Sequence, residues 1–111
     1  MPNCAPELPD SGQREQFASG MVRDVTEGKT DYLLVRSGPM LRRWAERLTA
    51  GARKYDVDNW LRANSEAELR RARSSAARHF EQWLAGEDDE DHAAAVFFNI
   101  NAAEYIRERL A

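Results

Sequence analysis

Between Pro39 and Leu110 the apolar residues recur at three- and four-residue spacing, and little but helix satisfies that rhythm over so long a stretch. Pro39 suits a first helical turn. Met40, Leu41, Trp44, Leu48 and Ala52 follow near one face, with Arg42, Arg43, Glu46, Arg47 and Arg53 largely off it. The spacing predicts a first helix that ends near Lys54. Asp56 to Trp60 reads as a turn leading into a short helix up to Arg62. Ser65-Glu66-Ala67-Glu68 then has the form of a capping box. A second helix is predicted over about Ser65 to Ala85, with Leu69, Ala72, Ala76, His79/Phe80 and Trp83 as its stripe and Gly86 as its stop. A third is predicted from about Asp89 to Leu110, its opening carboxylates suited to the helix dipole. Ala93, Val96, Phe97, Ile100, Ala103 and Ile106 are its expected buried face.

The residues before Pro39 follow no such rhythm. Pro2, Pro6, Pro9 and Gly12 predict a mobile tail over residues 1–12. Gln13 to Phe17 could make a helical turn, and Gly20, Gly28 and Gly38 punctuate the rest of this region. Tyr32-Leu33-Leu34-Val35 is the one β-like run, too little for a sheet. An irregular, partly extended arm packed on a helical body is expected. The fold class is therefore all-α: a bundle of about three main helices with an irregular N-terminal arm, in one domain over residues 13–111. Seventeen alanines imply close helix packing. Three helices cannot cover Trp44, Trp83, Phe97 and Phe98 by themselves, so a homodimer or higher homo-oligomer is expected to complete the bundle.

Composition narrows the function classes. In 111 residues, 42% apolar and 32% charged, a core is feasible and wholesale disorder is not expected. No apolar run approaches the roughly 20 residues that span a bilayer. The start lacks the basic and apolar regions of a secretory signal. Cys4, the one cysteine, can form neither an internal disulfide nor a four-cysteine zinc site. A cytoplasmic protein without a membrane role is expected. The net charge of -3 argues against a general nucleic-acid coat, and no stable nucleic-acid partner is expected. That charge is unevenly spread. Residues 36–78 hold eleven Lys/Arg against five Asp/Glu, whereas residues 81–92 hold six acids and no Lys or Arg. The contrast is compatible with a metal–phosphate site, and equally with salt-bridged helix faces.

The chemistry-bearing residues concentrate between Arg78 and His92. His79, Trp83 and Glu87 recur every fourth position, and Asp91, His92, Ala95 and Asn99 recur on the next helix. A short turn joins the two, so carboxylates, imidazoles and an amide can converge. Oxygen-rich ligands of this kind suit Mg²⁺ or Mn²⁺. Alone, an acidic run at a helix start is more often a solvated cap, and a lone histidine more often an ordinary hydrogen-bonded residue. Zinc is a weaker reading, because His79 and His92 are 13 apart with no H-E-x-x-H spacing. Ser74-Ser75 has no G-x-S-x-G elbow, and Gly51-Ala52-Arg53-Lys54-Tyr55 is not a Walker loop. Arg70-Arg71-Ala72-Arg73 could bind phosphate or be a solvated face.

Several motifs fall in a recognisable order. They are Phe17 to Asp24, Glu27-Gly28-Lys29, Gly51 to Tyr55, Asn59-Trp60, Ala77-Arg78-His79, Trp83, Gly86-Glu87-Asp88, and Asp91-His92 through Asn99. Across roughly residues 17–105 the chain resembles the phage and bacterial dATP/dGTP diphosphohydrolase family, which looks like a branch of the MazG-like all-α nucleotide pyrophosphohydrolases. The resemblance implies hydrolysis of a purine (deoxy)nucleoside triphosphate to monophosphate and pyrophosphate with Mg²⁺ or Mn²⁺. The E-x-x-E and E-x-x-D pairs of the wider superfamily do not appear cleanly here. On that resemblance Glu87, Asp88 and Asp91 are the expected metal ligands or water-activating carboxylates. His92 and His79 would contact phosphate or a softer metal, and Asn99 a carboxylate or a ribose hydroxyl. Lys54 and Arg78 would clamp phosphates. Asn59 and Trp60 would read and stack the base, and Arg23 and Lys29 would close from the N-terminal arm. The competing expectation is a non-catalytic helical module that binds a nucleotide or a protein.

Overall fold

The computed structural model describes residues 8–111, so Cys4 and residues 1–7 of the expected tail lie outside the described residues. The chain divides into two compact units, the first up to Tyr32 and the second from Leu33 to Ala111. In the first, strands β1 (Arg14–Gln16) and β2 (Val22–Asp24) form an antiparallel hairpin with Arg14 opposite Asp24, Glu15 opposite Arg23 and Gln16 opposite Val22. Residues 13–17 thus extend rather than coil. The reversal at Phe17–Met21 closes with Phe17 N–H donating to Met21 O (2.9 Å) and Gly20 N–H to Phe17 O (2.9 Å), and Gly20 takes the φ of +94° that a side chain resists. Asp10 and Asp24 both accept from Arg14, and Ser11 bonds to Asp24.

The β-like run at residues 32–35 is also corrected: Tyr32–Arg36 forms a 3-10 turn. Helix α1 (Met40–Lys54) starts directly after Pro39. A second 3-10 turn, Trp60–Arg62, leads to α2 (Glu66–Leu84), and α3 (His92–Leu110) completes the bundle. The capping box forms: Ser65 Oγ accepts from Glu68 N–H (3.2 Å), while Glu68 Oε1 accepts from Asn64 N–H (3.0 Å). At the other end Glu87 N–H reaches Gln82 O (3.0 Å) and Gly86 N–H reaches Trp83 O (3.1 Å), a Schellman closure with Gly86 at φ +75°.

The core lies where α2 and α3 meet. Leu69 and Ala72 pack with Ala102, Ala103 and Ile106, and Trp60, Ala63 and Tyr105 lean on them. Ala94 and Ala95 are fully buried, as the alanine count suggests for a close approach. Tyr105 Oη donates to Leu61 O (2.8 Å), and Arg109 donates to Leu61 O and Ala63 O (2.6 and 3.1 Å). These bonds tie the α1–α2 connection to the end of α3.

Two expectations for the helix faces change. α3 starts at His92 rather than near Asp89, because Asp91 caps it by accepting from Ala94 N–H (3.0 Å). Its buried side is His92, Ala94, Ala95, Ala102, Ala103 and Ile106, leaving Phe97 and Ile100 exposed. On α2, Phe80 and Trp83 are likewise exposed, and His79 takes the buried place. Among the described residues no helix is long and apolar enough to cross a membrane.

Candidate active site

The turn from Ala85 to Asp91 brings the end of α2 against the start of α3, and two histidines meet there. His79 and His92 are 4% and 2% exposed, with their Nδ1 atoms 2.9 Å apart. Arg78 Nη2 stands 3.4 Å from His79 Nε2, and Asp89 Oδ1 stands 2.7 Å from His92 Nε2. Arginine can only donate, so His79 Nε2 accepts. His79 Nδ1–H then donates to His92 Nδ1, and His92 Nε2–H donates to Asp89. Both imidazoles are neutral in this arrangement, and every ring nitrogen has a partner. Burial lowers the His79 pKa, and the nearby Arg47, Arg78 and His92 push it the same way, against Glu90.

The acidic turn is held from α1. Arg43 and Arg47 sit one helical turn apart, which aims both guanidinium groups at the turn. Arg43 Nε and Nη2 lie 2.8 and 2.6 Å from Asp91 Oδ2 and Oδ1. Arg47 Nη1 lies 2.8 Å from Glu90 Oε1. The Arg43 hydrogen bonds, with the Ala94 N–H, lower the Asp91 pKa to about 2. Arg47 lowers that of Glu90, and the His92 hydrogen bond lowers that of Asp89. At neutral pH these three carboxylates are therefore charged.

Two sets of ligand atoms come together within 4.8 Å: Glu87, Asp89 and His92, and His79, Glu90 and His92. The first joins two exposed carboxylates to one buried imidazole. The second joins two buried imidazoles to a carboxylate that Arg47 already holds. The first set has the donor chemistry and the open side that a divalent cation needs.

Of the residues expected from sequence, Glu87 and His92 share the first set, and His79 and His92 the second. Asp88 is exposed beside Glu87, and Asp91 belongs to neither set. Arg78 is exposed at the far end of the histidine pair. Asn99 folds onto its own helix, donating to Ala95 O (2.8 Å). Lys54 lies over the Tyr55 ring at 5.1 Å, at the exposed end of α1. Asn59 is exposed where the second 3-10 turn begins. Trp60 packs edge-on to Phe98 and Tyr105, with centroids 5.9 and 5.3 Å away, as a core anchor does. Arg23 and Lys29 belong to the first unit, where Arg23 is on β2 and Lys29 is 3.6 Å from Asp24.

Sequence reasoning missed Arg43, Arg47, Asp89 and Glu90. The signal was present in the four-residue spacing of the two arginines on a helix whose neighbour opens with acids. Trp44 Nε1 and Gln82 Oε1 are buried without a hydrogen-bond partner among the described residues, an arrangement that costs free energy unless something fills it.

A family model described as "dATP/dGTP diphosphohydrolase, N-terminal" matches residues 19–109, nearly all of the chain. No curated protein and no solved structure matches it.

Proposed function

The chain belongs to the dATP/dGTP diphosphohydrolase N-terminal family, and from that premise we propose that it hydrolyses a purine deoxynucleoside triphosphate, dGTP or dATP, to monophosphate and pyrophosphate. The observation that carries the reading is the convergence of Glu87, Asp89 and His92 at the α2–α3 turn of a chain from this family. These three residues would hold a divalent cation. A mixed oxygen–nitrogen set favours Mn²⁺ over Mg²⁺, which prefers oxygen throughout. Bound there, the cation would supply positive charge to the phosphate oxygens and make a nearby water more acidic.

The protein's own groups do the rest. Asp88 is exposed next to Glu87 and free of an ion-pair partner among the described residues, so it can take a proton from the attacking water. Before a cation binds, the Arg78–His79–His92–Asp89 hydrogen-bond chain holds the Asp89 carboxylate in one orientation, and a cation at His92 Nε2 would replace the last of these bonds, with the ring proton then on Nδ1. Asp91 serves as the cap of α3 and as the anchor to Arg43, with both oxygens engaged. Arg78 and Lys54 are the cations for the triphosphate. Asn59 and Asn99 would meet the nucleoside. We further place the enzyme in the cytoplasm, with its substrate, as a homo-oligomer.

Mn²⁺ binding, followed by electron paramagnetic resonance with dGTP present, tests the site. Saturable binding by the wild type that Glu87→Gln abolishes supports the assignment. Weak, unsaturable binding by both proteins contradicts it and favours a helical binding module without catalysis.

A further inference from the structure

The second set of ligand atoms differs in kind from the first. His79 and His92 lie on different helices, 13 apart in sequence, yet their Nδ1 atoms face one another at 2.9 Å. Their ring centroids are 5.1 Å apart and their planes are inclined by 39°. Glu90 brings a carboxylate oxygen within 4.8 Å of both rings' ligand atoms. Arg47 engages Oε1 of that carboxylate, and Oε2 has no partner among the described residues. Two imidazoles and one carboxylate therefore share a single small space. It is dry on the inner side, where the rings are 4% and 2% exposed, while the exposed Glu90 leaves a way in.

The surroundings suit a ligating histidine. An imidazole that binds a metal almost always donates its other N–H to a carboxylate, carbonyl or water, which fixes the ring and its tautomer. His92 does so already: its Nε2 is 2.7 Å from Asp89 Oδ1, and its Nδ1 is turned to His79. Two neutral imidazoles and one carboxylate are a donor set of the zinc type, with a fourth position left for water. On a tetrahedral ion with bonds of about 2.0–2.1 Å the two nitrogens stand about 3.3 Å apart, so the facing pair need open by only ~0.4 Å. The protons balance as well. His79 exchanges its Nδ1 proton for one on Nε2, and His92 keeps its Nε2–H. Arg78, exposed and 3.4 Å from His79 Nε2, then turns to water.

We propose that His79 Nδ1, His92 Nδ1 and Glu90 form a buried site for a cation of the zinc class, and that this site and the Glu87–Asp89–His92 set exclude one another. The exclusion follows from His92. The first set takes the lone pair of its Nε2, whereas the buried site keeps a proton there for Asp89. A neutral imidazole has an in-plane lone pair on one nitrogen only. Zinc in the buried site thus leaves the first set without its imidazole. The exclusion rests on the proposed reading of the first set as the Mn²⁺ site; the zinc site itself does not.

Calorimetric titration of the full chain with Zn²⁺ tests the site. The wild type should bind one equivalent. His79→Gln should weaken binding by more than the roughly 10–100-fold that loss of an outer partner costs. Glu90→Gln, at an exposed position, should also weaken it and serves if the buried substitution prevents folding. Glu87→Gln should leave zinc affinity unchanged. Equal binding by all four proteins means adventitious zinc and overturns the site, and so does loss of zinc in Glu87→Gln. Nitrogen-15 NMR of the wild-type rings needs no variant: zinc should shift Nδ1 of both histidines and leave a proton on each Nε2. Zinc at His92 Nε2 instead overturns the assignment. Zinc should also displace Mn²⁺, followed by electron paramagnetic resonance, from the wild type but not from His79→Gln. Mn²⁺ retained beside bound zinc overturns the exclusion. A wild type that never binds Mn²⁺ overturns the reading of the first set, while the zinc titration still decides the buried site.

Discussion

Arg43 holds both oxygens of Asp91 at 2.8 and 2.6 Å, across 48 residues of chain, while the same carboxylate caps α3 through the Ala94 N–H at 3.0 Å. One side chain thus starts a helix and fastens it to another. Asp91→Ala should lose about 1 kcal/mol from the cap alone, with the ion pair lost besides. Asp91→Asn keeps a capping oxygen and should lose less. Urea unfolding measures both. Both variants should retain Mn²⁺ binding, since Asp91 lies outside the two ligand sets.

Glu87→Gln should lower turnover by roughly two orders of magnitude and leave the helical circular dichroism unchanged, because Glu87 is exposed and follows the last turn of α2. Asp88→Asn should lower turnover while sparing Mn²⁺ affinity, the separation expected of a proton acceptor that is not a ligand. Equal loss of both in Asp88→Asn would move Asp88 into the ligand set.

The buried His79 makes stability depend on pH. The pKa of His79 is lowered from 6.5, so the unfolded chain binds the proton more readily than the folded one. Its contribution is complete above the unfolded value and is lost as pH falls through the folded value. Melting temperature should drop as pH falls below about 6.5, and His79→Asn should flatten that drop. The Asp91 contribution survives to lower pH, being lost between 3.8 and about 2.

In the core, Ile106→Ala should cost about 3 kcal/mol, because Ile106 is 2% exposed among Leu69, Ala72 and Ala102. Tyr105→Phe should cost about 1 kcal/mol through the lost bond to Leu61 O. Chemical denaturation distinguishes the two magnitudes.

The helices were legible in sequence wherever local chemistry decides. Pro39 before α1, the Ser65–Glu68 box and the Gly86 stop each act within one turn of chain, and each appears where expected. The start of α3 was not, since five acids in a row, three of them Asp, offer several caps. Asp91 becomes the cap while Asp89 is drawn to His92 and Glu90 to Arg47, contacts that exist only after folding. The faces of α3 were misread for a related reason. α3 is apolar on several sides, and periodicity cannot say which side is covered. Ala94 and Ala95 are buried where helices approach closely, and Phe97 and Ile100 are displaced outward. The hairpin left little signal, because Arg14-Glu15-Gln16 has no β-branched or aromatic residue to mark a strand. At the candidate site, sequence located the turn and both histidines. It could not foresee that they face one another at 2.9 Å, nor that α1 supplies Arg43 and Arg47.

The central claim is the reaction itself. Incubating the protein with each common nucleoside triphosphate and Mn²⁺ or Mg²⁺, and separating monophosphate, diphosphate, pyrophosphate and orthophosphate by chromatography, tests it most directly. The account predicts monophosphate and pyrophosphate in equal amounts from dGTP or dATP, with none formed in EDTA. Diphosphate with orthophosphate, or no product from any nucleotide, would contradict it.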